Sequence, residues 1–483
     1  ARRCRKVALR CSEEGSLMTH RMFRPALAPV LALVLAGCAT YRAMPLSERP
    51  NLASNIADLD RTIPASAGAP AQTIAVDQPL SIDQIGVLAI LNDPDLASER
   101  GQLDNARASL LSATILPNPQ VSLGFAALLG GPGASTPAYT ASLSQDIMSL
   151  VTYRARVAGA RDSFKSVNAS LLWQEWQVAQ KARLLALTVY SDEQTIRYSN
   201  NELSLLTNEL GGVQQQTASG NLDLTAEAPL TAAVATAQSA LATAEITQLS
   251  DWQSLNALLG LEPDTRFAIA EPSVAPPPSN VSELLASLPE RRPDLIGLQL
   301  GYASSEASLR EAILMQLPSL VFGPVYNQDT SDVKSLGPTA TFDLPIFNRN
   351  QGGIAAAKAT REQLYAEYQA QLDSAESNVK ALQQQIVVLQ KDYQDAANAV
   401  TGASSVANNA GQAYGQGSID QRSLVDYQTT VLERQLDAVN FKTQLLSDEV
   451  TLGAELGVGL PKTLLAEHPI SPNTTNQDQV TPQ

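Results

Sequence analysis

Few residues in this chain have chemistry to offer. Its 483 residues hold two histidines and three cysteines. His20 lies in a stretch with the pattern of an export signal, and His468 lies in a polar tail. No Ser/His/Asp, Cys/His or metal-binding set can be assembled from that inventory. Gly352-Gly353 follows Phe347-Asn348-Arg349-Asn350-Gln351 and opens a helix, which is turn chemistry and not a phosphate cradle. The groups left to consider are the Cys38 thiol and the carboxylates of Asp223, Asp420 and Asp426. Asp223 and Asp420 each come shortly after a glycine, Gly220 and Gly417, where the chain is expected to reverse, and the helix macrodipole accounts for an acid there. Asp426 sits two positions after Leu424, about 200° round a helix, so it points away from the packing stripe. On the residues alone it reads as half of a solvated Arg422–Asp426 pair at i,i+4. No enzyme activity and no cofactor are expected.

The elements that must position these groups come in two copies. Asp343–Gly457 repeats Asp146–Gly260 at a spacing of 197 without a gap, Asp420 matching Asp223 and Gly417 matching Gly220. Upstream the spacing is 199, and Pro293-Asp294-Leu295 repeats Pro94-Asp95-Leu96. The change of spacing falls between Gly323 and Asp343, inside an expected strand–turn–strand, where a loop tip accommodates an insertion. Each copy should hold a helix, a β-hairpin and a long helical hairpin. Ser81 and Gln84 form a capping-box pattern, and Asp93-Pro94 restarts helix with N-cap and N1 residues. Val121, Leu123 and Phe125 alternate with small residues, as do Ala340, Phe342 and Leu344. Four strands of roughly ten residues cannot close a membrane barrel, which needs at least about eight.

From Thr152 to about Gln216 the pattern is helical, with Val157, Phe164, Leu171, Val178 and Leu185 every seventh residue. A shift of four then starts the series Val189, Ile196, Leu203 and Leu210, a stutter that straightens a supercoil. Asn221 and Ser418 are the expected N-caps of the returning helices, Ser418 forming a capping box with Gln421. Those helices should run about 39 residues and end at Gly260 and Gly457, with Leu424, Val431, Ala438, Leu445 and Leu452 as the seam of the second.

The ends differ from the body. The chain opens on Ala1, with Met18 or Met22 as the expected start. Arg21 and Arg24 precede the apolar run Ala26–Leu35, too short to span a bilayer, and Leu35-Ala36-Gly37-Cys38 looks like a bacterial lipobox. Residues 1–37 are therefore expected to be a lipoprotein signal and Cys38 the acylated residue. Residues 38–78 read as an N-terminal tether, 79–260 as the first repeat, 261–292 as a connector, 293–460 as the second repeat, and 461–483 as a disordered tail. The formal charge is −15, with seven of 33 basic residues ahead of Cys38, so the body is the wrong sign for nucleic acid.

Lipobox, duplicated hairpins and long helices, Asp343-Leu344-Pro345-Ile346-Phe347-Asn348-Arg349-Asn350-Gln351-Gly352, and Tyr414-Gly415-Gln416-Gly417 ahead of a helix together resemble one family. It is the TolC-like outer-membrane efflux family, in its lipoprotein branch. The resemblance covers roughly residues 80–460. It implies a mainly α fold with a small β part, in which three chains share a twelve-stranded transmembrane β-barrel continued by a helical barrel across the periplasm. It implies a passive exit channel in the outer membrane, fed by a periplasmic adaptor and an inner-membrane pump. It also places a periplasmic gate at Asp426, with Asp420 and Asp223 as secondary candidates, and pump contacts at Gly220, Tyr414, Gly417 and Ser418. Thr217 stands where Tyr414 stands in the second repeat, so the two tips should differ. Export of small molecules by an RND-type pump is the expected use, with metal efflux and protein secretion as alternatives. A lipid-anchored periplasmic coiled-coil scaffold without a pore is the alternative from another class.

Overall fold

A computed structural model describes residues 41–63, 71–129 and 136–458. The expected signal, Cys38 and the expected tail from 461 lie outside them. Residues 41–51 form a separate unit, exposed and without regular structure.

The body begins at Leu52. Strands β1 (Thr62–Ile63) and β2 (Gln72–Thr73) pair antiparallel. They are followed by helices α1 (Ile82–Asn92) and α2 (Pro94–Thr114), strands β3 (Gln120–Ala126) and β4 (Ala138–Asp146), and helices α3 (Met148–Ala218) and α4 (Glu227–Leu259). Short helices α5 (Val281–Ala286) and α6 (Leu288–Arg291) lead to α7 (Pro293–Leu314), β5 (Leu320–Gln328), β6 (Lys334–Phe342), α8 (Gln351–Gly415) and α9 (Gln421–Glu455). α3 has 71 residues, about 107 Å at 1.5 Å per residue. The returning helices are shorter than expected, at 33 and 35 residues. Among the described residues no helix is long and apolar enough to cross a membrane.

Local chemistry explains the first turns. The Ser81 side chain accepts from the Gln84 amide and the Gln84 side chain accepts from the Ser81 amide, closing the capping box. Asp93 accepts from the amides of Asp95 and Leu96 and caps α2, with Pro94 at N1. Gly260 and Gly457 end α4 and α9 at positive φ, as left-handed C-caps do. Gly260 abuts Asn92 and Pro94 at the start of α2, and Gly457 abuts Arg291 just before α7. So α2 with α4, and α7 with α9, line up end to end in the same way in both repeats.

The core follows from α3 being surrounded. Between Leu171 and Ser191 it is buried on nearly every side, by α1, α2, α4, α7 and α9. Its alanines, Ala169, Ala179, Ala182 and Ala186, are more deeply buried than most of the seven-spaced residues expected to form the seam. Small residues let α7 approach closely: Ser166 Oγ donates to the Gly297 carbonyl at 2.7 Å and Ser304 Oγ to that of Gly159 at 2.8 Å.

One expectation is corrected by these contacts. Residues 52–63 and 71–78 are not a free tether, because Ile56, Leu59 and Ile74 are buried with α1, α3 and α4. The connector is likewise anchored: Leu261 is in the same core, and Val281, Leu284 and Leu288 are buried.

Candidate two-faced sheet and hairpin tips

The four strands form one antiparallel meander in the order β3-β4-β5-β6, so the two hairpins join through β4 and β5. Register sorts the side chains into two sets. Val121, Leu123 and Phe125 stand opposite Leu143, Ala141 and Tyr139. Ala141 is paired in turn with Tyr326, and Tyr326 with Leu336, while Leu320 and Phe322 pair with Phe342 and Ala340. That face is mostly apolar, with Gln145, Gln328 and Lys334 toward its ends, and Leu123, Leu336 and Phe342 are 78%, 76% and 57% exposed in the single chain. Period-two alternation puts Ser122, Gly124, Thr140, Ser142, Thr339 and Thr341 on the other face, together with Val321 and Val325 of β5. Gly323 is required where β4 and β5 lose pairing, since a Cβ there would fall 1.8 Å from the Leu143 carbonyl oxygen. Both outer strands, β3 and β6, keep an unpaired edge among the described residues. An exposed apolar face with two open edges is an aggregation template in water unless lipid and further strands cover it.

The turn into α8 is structural, as expected. Asn350 sits at φ 58°, its side chain donating to the Ala312 carbonyl at 2.8 Å, and its own amide donates to Asn348 Oδ1.

At the far end of the helices the tips repeat each other. Gly220 and Gly417 lie at φ 76° and 71°, and each completes a Schellman motif. The Asn221 amide donates to the Gln216 carbonyl and the Ser418 amide to that of Ala413. The expected N-caps are therefore corrected: Asn221 and Ser418 finish the outgoing helices, while Asp223 and Asp420 cap the returning segments. Asp223 accepts from the Thr225 amide and hydroxyl, and Asp420 from the Ser423 amide at 2.8 Å. Hydrogen bonds from Thr225 and from Ser423 hold the two carboxyls below their ordinary value. A capping role occupies both side chains. Tyr414 is partly exposed beside Gly417.

Asp426 is exposed on α9, and the Arg422–Asp426 pair does not form among the described residues. The seam beside it is shifted by one from the expectation: Val425 and Leu432 are buried, not Leu424 and Val431. Near the tip Val425 of α9 joins an apolar cluster with Leu206 of α3 and Val234 and Ala237 of α4. Sequence reasoning missed Glu209 of α3, which is 3% exposed and faces Asp426, Asp420 and Arg422. Burial first, and then the acids against the Gln421 hydrogen bond and Arg422, pushes its carboxyl up. Only its position in an otherwise polar stretch of α3 could have signalled it.

Sequence reasoning also missed the group that ties the repeats together. Arg292 is 2% exposed, bonded to Asp294 at 2.8 Å and to Glu455, with its guanidinium 4.7 Å over the Trp173 ring. Burial works to lower its pKa, and the two carboxylates overcome that and hold it above the ordinary value.

Comparison with known proteins gives a consistent picture. Residues 284–458 match the family described as outer membrane efflux protein. The chain is 22% identical over 387 residues to the cobalt-zinc-cadmium resistance protein CzcC of Cupriavidus metallidurans, covering 78% of this chain and 90% of that protein. Its fold matches a membrane protein from Pseudomonas aeruginosa with a TM-score of 0.67 at 15% identity, over 86% of this chain and 97% of that one. It also matches the Campylobacter jejuni CmeC outer membrane channel with a TM-score of 0.64 at 15% identity, over 80% and 89%.

Proposed function

We propose that this chain is a member of the outer membrane efflux protein family, whose model matches residues 284–458, and that it is the outer-membrane exit channel of a tripartite efflux system. The observation that carries the reading is the four-stranded sheet, mostly apolar on one face and mostly polar on the other, with both edges open among the described residues. Three copies joined edge to edge, β6 of one to β3 of the next, close a barrel of about twelve strands with lipid outside and water inside. The helices of at least about 50 Å then carry the duct from the membrane into the periplasm. The chain works passively; a periplasmic adaptor and an inner-membrane pump supply cargo and energy at the tips formed by Gly220, Tyr414, Gly417 and Ser418.

Cys38 carries the lipid that anchors the chain in the outer membrane, and residues 1–37 are the signal removed first. Asp426 is the constriction residue, because it is exposed and its carboxylate is not spent on capping. Asp420 and Asp223 are weaker gate candidates, since both cap the chain just beyond them. Small molecules are the expected cargo. Divalent metal ions are the second reading, favoured by the CzcC relative. Native mass spectrometry of the detergent-solubilised protein tests the assembly: a trimer is expected, and a stable monomer with full helix and strand content would overturn it.

A further inference from the structure

We propose that the seam between copies of this chain repeats the β4–β5 seam inside it, with Phe342 opposite Leu123 of the next copy, and that below the strands the loop 343–350 closes on the end of the next copy's α2. The partner is a second copy of this chain. This rests on the shared-barrel reading above and goes beyond it by fixing a register and adding a contact outside the strands.

β4 ends the first hairpin and β5 begins the second, so their junction already joins one repeat to the other. There Gln145 stands opposite Phe322 and Asp146 opposite Val321, and the Ile147 amide donates to the Leu320 carbonyl at 2.8 Å. At the spacing of 197, Gln145 and Asp146 match Phe342 and Asp343. At the upstream spacing of 199, Phe322 and Val321 match Leu123 and Ser122. Carried to the open edges of β6 and β3, the seam pairs Phe342 with Leu123 of the next copy and Asp343 with its Ser122. Both pairs keep to one face, Phe342 and Leu123 to the apolar one and Asp343 and Ser122 to the other.

The ring geometry agrees. Within the chain Leu123 pairs with Ala141, Ala141 with Tyr326, and Tyr326 with Leu336. The transferred register takes Leu336 to a level about six residues beyond Leu123, or about 18 residues round three copies. At about 3.3 Å per residue and about 4.8 Å between strands, twelve strands then tilt by about 45°, at the upper end of the range for membrane barrels. Pairing Phe342 with Phe125 instead would tilt them by about 54°, outside that range.

Gln120 and Phe342 both lie at the helix end of the sheet, on its two outer strands. Below them the helices continue the layer, α2 packing on α3, α3 on α7 and α7 on α8. Each copy therefore presents the end of α2 at one edge and the loop before α8 at the other. Leu111, Ile115 and Leu116 are exposed at the first, and Leu344, Ile346 and Phe347 at the second, Phe347 by 93%. The first repeat has no such loop, because α3 starts at Met148 whereas α8 starts at Gln351, the match of Arg154. Hydrogen bonds brace the loop: Arg349 Nε donates to the Pro345 carbonyl and Gln351 Nε2 to that of Phe347, each at 3.2 Å. Closing the seam lays one apolar patch on the other and removes both from water. Lipid alone would call for no such matching of the two edges.

Cysteine pairs in the full-length protein, oxidised in membranes from expressing cells and read as covalent trimers on denaturing gels, test the register. Wild type with its own cysteines is the blank. Phe342→Cys with Leu123→Cys should convert most of the protein, since opposed Cα atoms of this kind are about 5.5 Å apart. Phe342→Cys with Val121→Cys or with Phe125→Cys, about 7–8 Å apart on the diagonal, should convert at least about tenfold less. Asp343→Cys with Ser122→Cys reports the same register from the water side if the first pair does not insert. For the loop, Phe347→Cys with Ile115→Cys should be joined by a short bismaleimide, and Phe347→Cys alone should not. Preferential joining of Phe342→Cys to Val121→Cys or Phe125→Cys overturns the register. Joining of the strand pairs without the loop pair overturns the loop contact and places the loop in lipid. Either of those results in a trimer by native mass spectrometry leaves the channel reading standing, whereas a stable monomer would sink that reading and the seam with it.

Discussion

The two faces of the sheet predict opposite outcomes for the same substitution on neighbouring residues. Leu123 is in the middle of β3, opposite Ala141, and 78% exposed in the single chain. Replacing it with arginine leaves no cavity, so the cost is that of placing a charge in lipid. Near the bilayer midplane this is about 2–4 kcal/mol per chain, or about 6–12 kcal/mol for three chains. Ser122, one residue earlier, points to the other face, where Ser122→Arg meets water and should cost within about 0.5 kcal/mol. The assay is equilibrium unfolding from short-chain phosphatidylcholine vesicles, followed by the loss of the folded band in unheated gels. Leu123→Arg should be destabilised and Ser122→Arg should track wild type. If the two variants behave alike, the sheet does not sit in lipid; if Ser122→Arg is the damaged one, the faces are reversed.

The same contacts set three further outcomes. Arg292→Met leaves Asp294 and Glu455 without their counter-charge and should cost about 3–5 kcal/mol in denaturant unfolding; adding Asp294→Asn and Glu455→Gln should recover part of it. Asp426→Ala should weaken cation selectivity and block by multivalent cations in bilayer recordings, and wild-type behaviour there combined with a changed Asp420→Ala would remove Asp426 from the gate. Intact-mass analysis of membrane-extracted protein should start at Cys38 with added acyl mass, and an unmodified N-terminus elsewhere would reject the anchor.

Residues that repeat or alternate are legible in the sequence. Ser81 with Gln84, Asp93 with Pro94, and the alternation around Leu123 and Phe342 are local patterns, and each reappears as a local structure. Ile56, Leu59 and Ile74 carry no period, so their burial against α1 and α3 leaves no trace in the sequence and their segment reads as a tether. Asn221 and Ser418 have the chemistry of caps, but the Schellman turns at Gly220 and Gly417 use their amides and hand the capping to Asp223 and Asp420. The seam of α9 slips to Val425 because a third helix face, that of α3, competes for it near the tip. Arg292 and Glu455 meet across a long stretch of chain, and no spacing rule relates them. Glu209 escapes notice for the same reason: its neighbours come from α9.

Whether copies of this chain form a water-filled pore is tested most directly with purified protein in planar lipid bilayers. An exit channel should give discrete, stepwise, long-lived conductance that persists without nucleotide or any energy source. Multivalent cations should block it in wild type and block it less in Asp426→Ala. Bilayers that bind the protein yet stay electrically silent would contradict the pore and favour a periplasmic scaffold.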